Sequence, residues 1–369
     1  MDNSIPNSPG GPEPQWLLWP RLSERLAQTD VVVLGGGSSD EREVSLRSAA
    51  SVASALSQLE NDQHRVHPRS IQDVEIDARG RWNLEGQNYD PSSALDRFPP
   101  GALFLLALHG GEGEDGRLQQ VLLERGFAFT GSGPQASALC MDKARSRIRA
   151  QDVGLTVAPG LLVEHAAWDS DPEHVHRKVE SLGPGPWFVK PNCGGSSLGI
   201  VRAERPSQVK DGIAAILGTG QAALVENEIV GLEVSVGILG GGKATAHALP
   251  LCEILPGPGR FFDYEEKYND SGAREFCPPE HTPPQLATEV QAMACAAFHG
   301  LGCQGYGRID FILPHDGGPG VFLEANTLPG MTKRSLLPRA ALAANMNFGS
   351  LCLEILAHGL TSSLARLHE

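Results

Sequence analysis

FVKPNCGGSSLGI, residues 188–200, fits two incompatible chemistries. Gly195-Ser196-Ser197-Leu198-Gly199 matches G-x-S-x-G, the elbow that presents a nucleophilic serine in many hydrolases. The same glycines and hydroxyls, following Lys190, also suit a flap that wraps phosphate oxygens. The flanking residues separate the two. A nucleophile elbow runs from a strand directly into a helix. Here the loop enters GIVRA, short and β-branched, and helical spacing resumes only after Pro206, in SQVKDGIAAIL. Strand, glycine loop and strand describe a hairpin flap, and covalent labelling of Ser197 by a fluorophosphonate is not expected.

Around the flap, a helix near 144–152, the strand WFVK, GIVRA, the Pro206 helix and the strand AALVENEIV make a small α/β unit. Upstream, DVVVLGGGSS is a buried strand entering a glycine turn, EREVSLRSAASVASAL has helical spacing, and ALFLLALHG is a second apolar strand. Strand, helix and strand in that order predict a parallel α/β domain to about residue 142. Residues 1–14, rich in Pro, Gly and Ser, are expected to be disordered, with a short amphipathic helix over 15–28 through Trp16, Trp19, Leu22 and Leu26. Downstream come the strand LEVSVGILG, a long polar loop near 256–280, and a helix from Pro283-Pro284 to Gly300.

Global properties exclude several classes. At 369 residues the chain suits two or three domains. Net charge is −14, from 44 acids against 30 bases, which argues against a nucleic-acid binder. The seven cysteines are scattered and form no C-x-x-C, so neither a zinc ribbon nor a disulfide framework is indicated. They read mostly as buried thiols of a reducing compartment, and a cytoplasmic location is expected. The apolar run near 103–108 is too short to span a bilayer, and no signal-peptide pattern opens the chain.

GRIDFILPHDGGPGVFLEANTLPG, 307–330, carries the strongest physical signal. Two strands flank a Pro-His-Asp-Gly-Gly-Pro turn. With the turn centred near Asp316-Gly317, Asp310 lies opposite Glu324 and Arg308 opposite Asn326, all on one face. Opposed carboxylates repel without a cation between them. Asp310, Glu324 and the Asn326 amide oxygen make a hard set suited to Mg²⁺ beside phosphates; the bland alternative is a solvated hairpin with incidental acids. LHGGEGEDGRLQ follows an apolar strand, where parallel sheets usually hold ligands. LGGGSSDEREVS lacks the G-x-G-x-x-G order of a dinucleotide loop, which leaves a dehydrogenase weakly supported. No G-x-x-x-x-G-K-[ST] occurs, so a nucleotide would be held by something other than a P-loop.

Together the blocks GGGSSDEREVSLRSA, ALHGGEGEDGRLQ, FTGSGPQASALCMDK, FVKPNCGGSSLGI, FFDYEEKY, GYGRIDF and LEANTLPGMTKRSLLP resemble the D-alanine–D-alanine ligases of the ATP-grasp superfamily, in order, from Val31 to about Leu360. The resemblance implies an α/β, partly α+β, ATP-grasp fold. A Rossmann-like parallel-sheet domain (30–142) would follow a tail with a short helix (1–29). A central lid domain (143–228) and a C-terminal α+β catalytic domain (229–369), with a mobile loop about 256–280, would complete it. It implies ligation of two D-alanines through a D-alanyl phosphate, for peptidoglycan, with ATP and two Mg²⁺ or Mn²⁺ ions; K⁺ is an open addition. A homodimer is implied, with no nucleic-acid or membrane partner.

The resemblance also implies roles for individual positions. Lys143, Lys190 and Lys267 would contact phosphates, and Gly195, Ser196 and Ser197 would close over them. Glu226, Asn227 and Ile229 would read adenine, and Glu233 the ribose. Asp310, Glu324 and Asn326 would hold the metal ions. Glu41 would bind the first D-alanine's ammonium, in a pocket lined by Val44 and His109. Arg308 and the Gly330 amide would stabilise the oxyanion. Ser335, Leu336 and Lys267 would form the second D-alanine subsite, and Tyr268 would hydrogen-bond toward Ser196 and Glu41. Relatives that make D-alanyl-D-lactate differ at the Tyr268 position, so the tyrosine favours the dipeptide. Phe129 and Phe262 replace tyrosines common in the family, and Lys333-Arg334 replaces a frequent Ser-His. That basic pair leaves D-serine or D-lactate as alternative second substrates. A non-enzymatic relative would be expected to lose Arg308, Asp310, Glu324 or the lysines, and all are present.

Overall fold

The computed structural model describes residues 20–61, 66–195, 199–240, 246–256 and 273–366. Its N-terminal sheet grows from Asp30–Gly36, apolar after its first residue, and the wholly apolar Leu103–Leu106, the composition of strands covered on both faces. They pair in parallel, Val31 with Leu103 and Leu34 with Leu106, and Ser70–Ile76 lies parallel on the other side of Asp30–Gly36. Ala128–Phe129 closes one edge. At the other edge an antiparallel hairpin, Trp82–Leu84 with Gln87–Tyr89, extends the sheet to six strands. Three-residue strands carry too little alternation to be visible in sequence. The strand order reverses beside Asp30–Gly36, so the loops after it and after Leu106 open on a crevice at the strands' carboxyl ends.

Backbone geometry there requires glycine. Gly36 has φ +93°, and a Cβ on it would lie 2.3 Å from the Ile76 carbonyl oxygen. The helix Arg42–Asn61 then packs back on the sheet. Of the expected N-terminal helix, Pro20–Ala27 is described, with Leu22 and Leu26 buried; Trp16 and Trp19 lie outside the described residues.

The central sheet is antiparallel, in the order Val201–Ala203, Trp187–Pro191, Ala223–Asn227, Gly160–Val163. Val201 pairs with Val189 and Ala203 with Trp187, and the helix begins only at Pro206. The glycine segment therefore joins two strands of a hairpin, and among the described residues after it a strand stands where a nucleophile elbow would start a helix. The helices Pro172–Ser181 and Pro206–Leu217 supply Val175, Val179, Val209 and Ile213 to a core with Val189 and Val225.

A seven-stranded sheet is built on Gly231–Gly240, Gly305–Pro314 and Val321–Asn326. The helix Pro284–Gly300 covers it, bounded by proline and glycine as expected. Thr156–Val157 pairs in parallel with Val321–Phe322, so the stretch from Lys143 to Val157 lies on this sheet, and the central sheet starts at Gly160. The last helix, Phe348–Arg366, returns to the N-terminal sheet. Leu351, Ile355 and Leu356 share one buried cluster with Val31–Leu34 and Leu103–Leu106, which ties the two ends of the chain together. Among the described residues no single helix is long and apolar enough to cross a membrane.

Cys252 and Cys277 are paired as a disulfide, which the reading of the cysteines as mostly buried thiols did not foresee. Their spacing in sequence gives no sign of it. The antiparallel pairing of Cys252–Leu255 with Arg274–Phe276 brings them together. Cys140, Cys303 and Cys352 are buried thiols, while Cys193 is exposed.

Gly36→Ala combines the left-handed backbone penalty with contact against a carbonyl. It is expected to destabilise the protein by about 2 kcal/mol or more, read as a lower urea midpoint at unchanged slope.

Candidate functional site

The hairpin of Gly305–Pro314 and Val321–Asn326 pairs Arg308 with Asn326 and Asp310 with Glu324; a bulge after Asp310 then sets Phe311 opposite Phe322. Asp310 is buried and its carboxylate fully engaged. Arg308 donates from Nε to Oδ1 at 2.9 Å and from Nη2 to Oδ2 at 2.8 Å. Asn326 Nδ2 donates to Oδ2 at 2.9 Å, and Ser235 Oγ to Oδ1 at 2.6 Å. Ser235 reaches it because it sits directly across from Asp310 on Gly231–Gly240.

Glu324 is met by Lys143, whose Nζ lies 3.4 Å from Oε2 and donates at 2.5 Å to the Gly194 carbonyl of the flap. Each of the opposed carboxylates thus has a cation, as the repulsion requires. The set suits a hard divalent cation: two carboxylates and, with Asn326 Nδ2 turned to Asp310, an amide oxygen. Among the described residues no group of three or more His, Cys, Asp or Glu could hold a metal. Phosphate and water oxygens would therefore have to complete the coordination here.

A second charged cluster lies on the central sheet. Lys190 pairs with Leu224 and Phe188 with Glu226, so Lys190 and Glu226 are diagonal neighbours on one face. Both are buried and form an ion pair. Arg147 completes it, Nη1 at 2.8 Å from Glu226 Oε1. Sequence reasoning missed Arg147 in DKARSR; it stands four residues after Lys143, which places both on the same side of the helix Lys143–Asp152. Asn227 turns its amide to the Leu182 carbonyl at 3.0 Å. Ile229 is half-buried in the link to the seven-stranded sheet, where Glu233 stands opposite Ile254 and Ile312.

The crevice of the N-terminal sheet holds Glu41, in the turn before the helix Arg42–Asn61. A Cβ on Gly110 or on Gly195 would each come within 2.6 Å of Glu41 Oε2, so the carboxylate packs against bare backbone from two different units. Ser39 Oγ donates to the His109 carbonyl at 2.5 Å and fastens the two crevice loops together. Val44 and His109 are buried beside it. Burial, and secondarily the charge of Arg308, push the His109 imidazole down to about 4, so it is neutral at ordinary pH. Gly330 and Ser335 touch, a Cβ on the glycine falling 2.7 Å from Ser335 Oγ, and Leu336 opens the helix Leu336–Ala343 beneath them. Lys333 and Arg334 are exposed in the same turn, and Phe129 is buried. Ser196, Ser197, Phe262, Lys267 and Tyr268 lie outside the described residues.

Two further residues escaped the sequence. Ser235 is signalled only by alternation in LEVSVG, as a polar residue on a buried strand. Glu114 sits in GGEGEDGR among two other acids and four glycines, and only folding turns it inward. Its carboxylate accepts from the N–H groups of Gly110 and Leu328.

Comparison with known proteins gives consistent matches. The family model described as the D-ala D-ala ligase C-terminus matches residues 150–357. A D-alanine–D-alanine ligase from Bordetella petrii is 39% identical over 328 residues, covering 89% of this chain and 91% of its own length. One from Chlorobium phaeovibrioides is 34% identical, covering 90% and 97%. Among solved structures, the VanG D-Ala:D-Ser ligase from Enterococcus faecalis superposes with a TM-score of 0.75 at 27% identity, over 89% of this chain and 98% of its own. The D-alanine–D-alanine ligase from Coxiella burnetii, at 22% identity and TM-score 0.74, shares the fold.

Arg147→Ala leaves the buried Glu226 carboxylate with one cation in place of two. The expected loss is on the order of 3 kcal/mol, measured by guanidinium unfolding, with Arg147→Lys recovering only part because one ammonium cannot reproduce the guanidinium fork.

Proposed function

The chain belongs to the D-alanine–D-alanine ligase family, and on that premise we propose how its residues divide the family's reaction, the ATP-dependent joining of two D-alanines for peptidoglycan. ATP and a divalent cation are required. Asp310, Glu324 and Asn326 would hold two Mg²⁺ or Mn²⁺ ions, which would supply neutralisation of charge on the phosphate oxygens. Lys143 and Lys190, with Lys267, hold those phosphates, and Gly195, Ser196 and Ser197 close over them. Glu226, Asn227 and Ile229 take the adenine, and Glu233 the ribose.

Glu41 binds the ammonium of the first D-alanine beside Val44 and His109 and turns its carboxylate toward the γ-phosphate. A carboxylate oxygen bonds to γ-phosphorus as the bond to ADP breaks, giving D-alanyl phosphate. Ser335, Leu336 and Lys267 hold the second D-alanine so that its free amine attacks the acyl carbon. Arg308 and the Gly330 N–H stabilise the oxyanion, inorganic phosphate leaves, and the amine gives up its proton. Water would hydrolyse the acyl phosphate, so the flap and the Lys267–Tyr268 segment exclude it. The homodimer is part of the same proposal, and light scattering tests it.

What supports this reading most is the meeting of three units around one face: Arg308, Asp310 and Glu324 from the hairpin, Lys143 touching the flap, and Glu41 packed against Gly195. The experiment is phosphate release with D-alanine, ATP and Mg²⁺, the product identified by mass. D-Alanyl-D-alanine from D-alanine alone supports it; release only with D-serine or D-lactate added moves the protein to a sister specificity. Lys333 and Arg334, exposed beside Ser335, give that second reading its footing. Chelation should abolish turnover, and added Mg²⁺ or Mn²⁺ restore it. Arg308→Met should lower kcat by about 10²–10³-fold, the usual cost of losing one oxyanion donor.

A further inference from the structure

The turn that carries Gly330 is gripped by side chains from the other end of the chain. Glu114 Oε1 accepts from the Leu328 N–H at 3.2 Å, and its Oε2 accepts from the Gly110 N–H at 2.6 Å. His109 Nδ1 lies 2.9 Å from the Leu328 carbonyl, and Nε2 lies 2.8 Å from Ser48 Oγ. The Met331 N–H reaches Ser48 Oγ at 3.2 Å.

The donor roles in this chain are determined. A carbonyl only accepts, so His109 Nδ1 carries the proton. Nε2 of the neutral ring is then an acceptor, Ser48 donates its hydroxyl proton to it, and the Ser48 oxygen is left to accept from Met331. Both ring nitrogens are thereby used within the protein. Three backbone groups flanking Gly330 (Leu328 N–H, Leu328 carbonyl and Met331 N–H) are held by three side chains of the N-terminal unit. The same Glu114 holds Gly110, whose backbone packs on Glu41.

We propose that Glu114, His109 and Ser48 are positioning residues that clamp the Leu328–Met331 turn and, through Gly110, fix the first-substrate pocket and the oxyanion donor in one register. The inference rests on the ligase reading for the meaning of Glu41 and Gly330. The clamp itself is a property of the geometry. An oxyanion donor must be in place before charge develops, yet Gly330 has no bulk of its own to hold it. Anchors on both sides of it supply that order.

The clamp also has a proton dependence. Burial, and then the charge of Glu41, raise the Glu114 carboxyl to about 7, against the Gly110 and Leu328 N–H groups and Arg308, which lower it. Tyr306 and Cys140 also feel its charge from the packed elements behind, where burial raises the tyrosine hydroxyl, and the Cys303 contact together with burial raises the thiol. The carboxylate form accepts from both N–H groups. Protonation converts one oxygen to a donor and releases one of them, so clamping strengthens as pH rises through 7.

The test compares wild type with Glu114→Gln and Ser48→Ala, using Glu112→Gln, an exposed surface partner of Arg117, as control. Rates are taken per ATP-binding site, so that a smaller folded fraction cannot imitate the effect. Each clamp variant should lose about 10–100-fold in kcat, because displacement of about 1 Å can cost on the order of 10²-fold, with the KM for ATP within twofold. Amide exchange should quicken in the peptide spanning 326–332. The rising limb of activity near pH 7 should disappear in Glu114→Gln, since an amide does not titrate. Clamp variants within twofold of wild type, or a pH limb unchanged in Glu114→Gln, would overturn the proposal. If Glu114→Gln does not fold, Ser48→Ala and the wild-type limb decide. A wild type that forms no D-alanyl-D-alanine counts against the ligase reading, whereas an active wild type with unaffected variants counts against the clamp alone.

Discussion

Two carboxylates facing one another across antiparallel strands are an unfavourable pair, and the charge arrangement of this site follows from accommodating them. Asp310 and Glu324 are set opposite by the register of one hairpin. Asp310 is neutralised from its own strand by Arg308 and hydrogen-bonded by Ser235 from the strand alongside. Glu324 takes its cation from the helix Lys143–Asp152, and the same ammonium reaches the flap. One electrostatic requirement therefore draws three segments, distant in sequence, onto one face. The two carboxylates, with the Asn326 amide oxygen beside them, remain a hard oxygen set of the kind that suits a divalent cation.

A similar logic operates in the central sheet. Lys190, Glu226 and Arg147 are all buried, and none of them is tolerable there alone. Two cations around one carboxylate leave a net positive cluster close to where phosphates are proposed to bind, whereas on the hairpin face two carboxylates are balanced by two cations. The proposed site thus combines a net positive cluster with a charge-balanced face rich in carboxylate and amide oxygens. The metal–nucleotide complex proposed above would present its phosphates to the first and its cation to the second.

The crevice of the N-terminal sheet contributes shape more than charge. Gly36 permits the chain to leave the sheet beside the Ile76 carbonyl, and Gly110 and Gly195 leave room for Glu41 between two units. Ser45, buried on the same helix face as Ser48, accepts from the Gly36 N–H and donates to the Ala107 carbonyl, and so ties the two strand ends together. A segment that shows in sequence only helical spacing carries two buried hydroxyls, Ser45 and Ser48, that set loop positions.

Local pattern alone determined most of the secondary structure and the register of the decisive hairpin. Alternation and apolar runs are short-range signals, and a turn of fixed length sets which residues oppose: Arg308 with Asn326 and Asp310 with Glu324 follow from counting outward from Asp316-Gly317. The hairpin nature of the flap was legible for the same reason, since a strand rather than a helix follows it. The edge hairpin at Trp82–Tyr89 and the Cys252–Cys277 pair were not legible, because the first is too short for periodicity and the second depends on which strands adjoin. Arg147, Ser235, Ser48 and Glu114 were hidden for a deeper reason. Each acts on a group far away in the chain, so its meaning lies in a distance that sequence does not contain. Residue type and spacing specified which chemical groups the protein carries, and only the packing of its three sheets decided which of them meet.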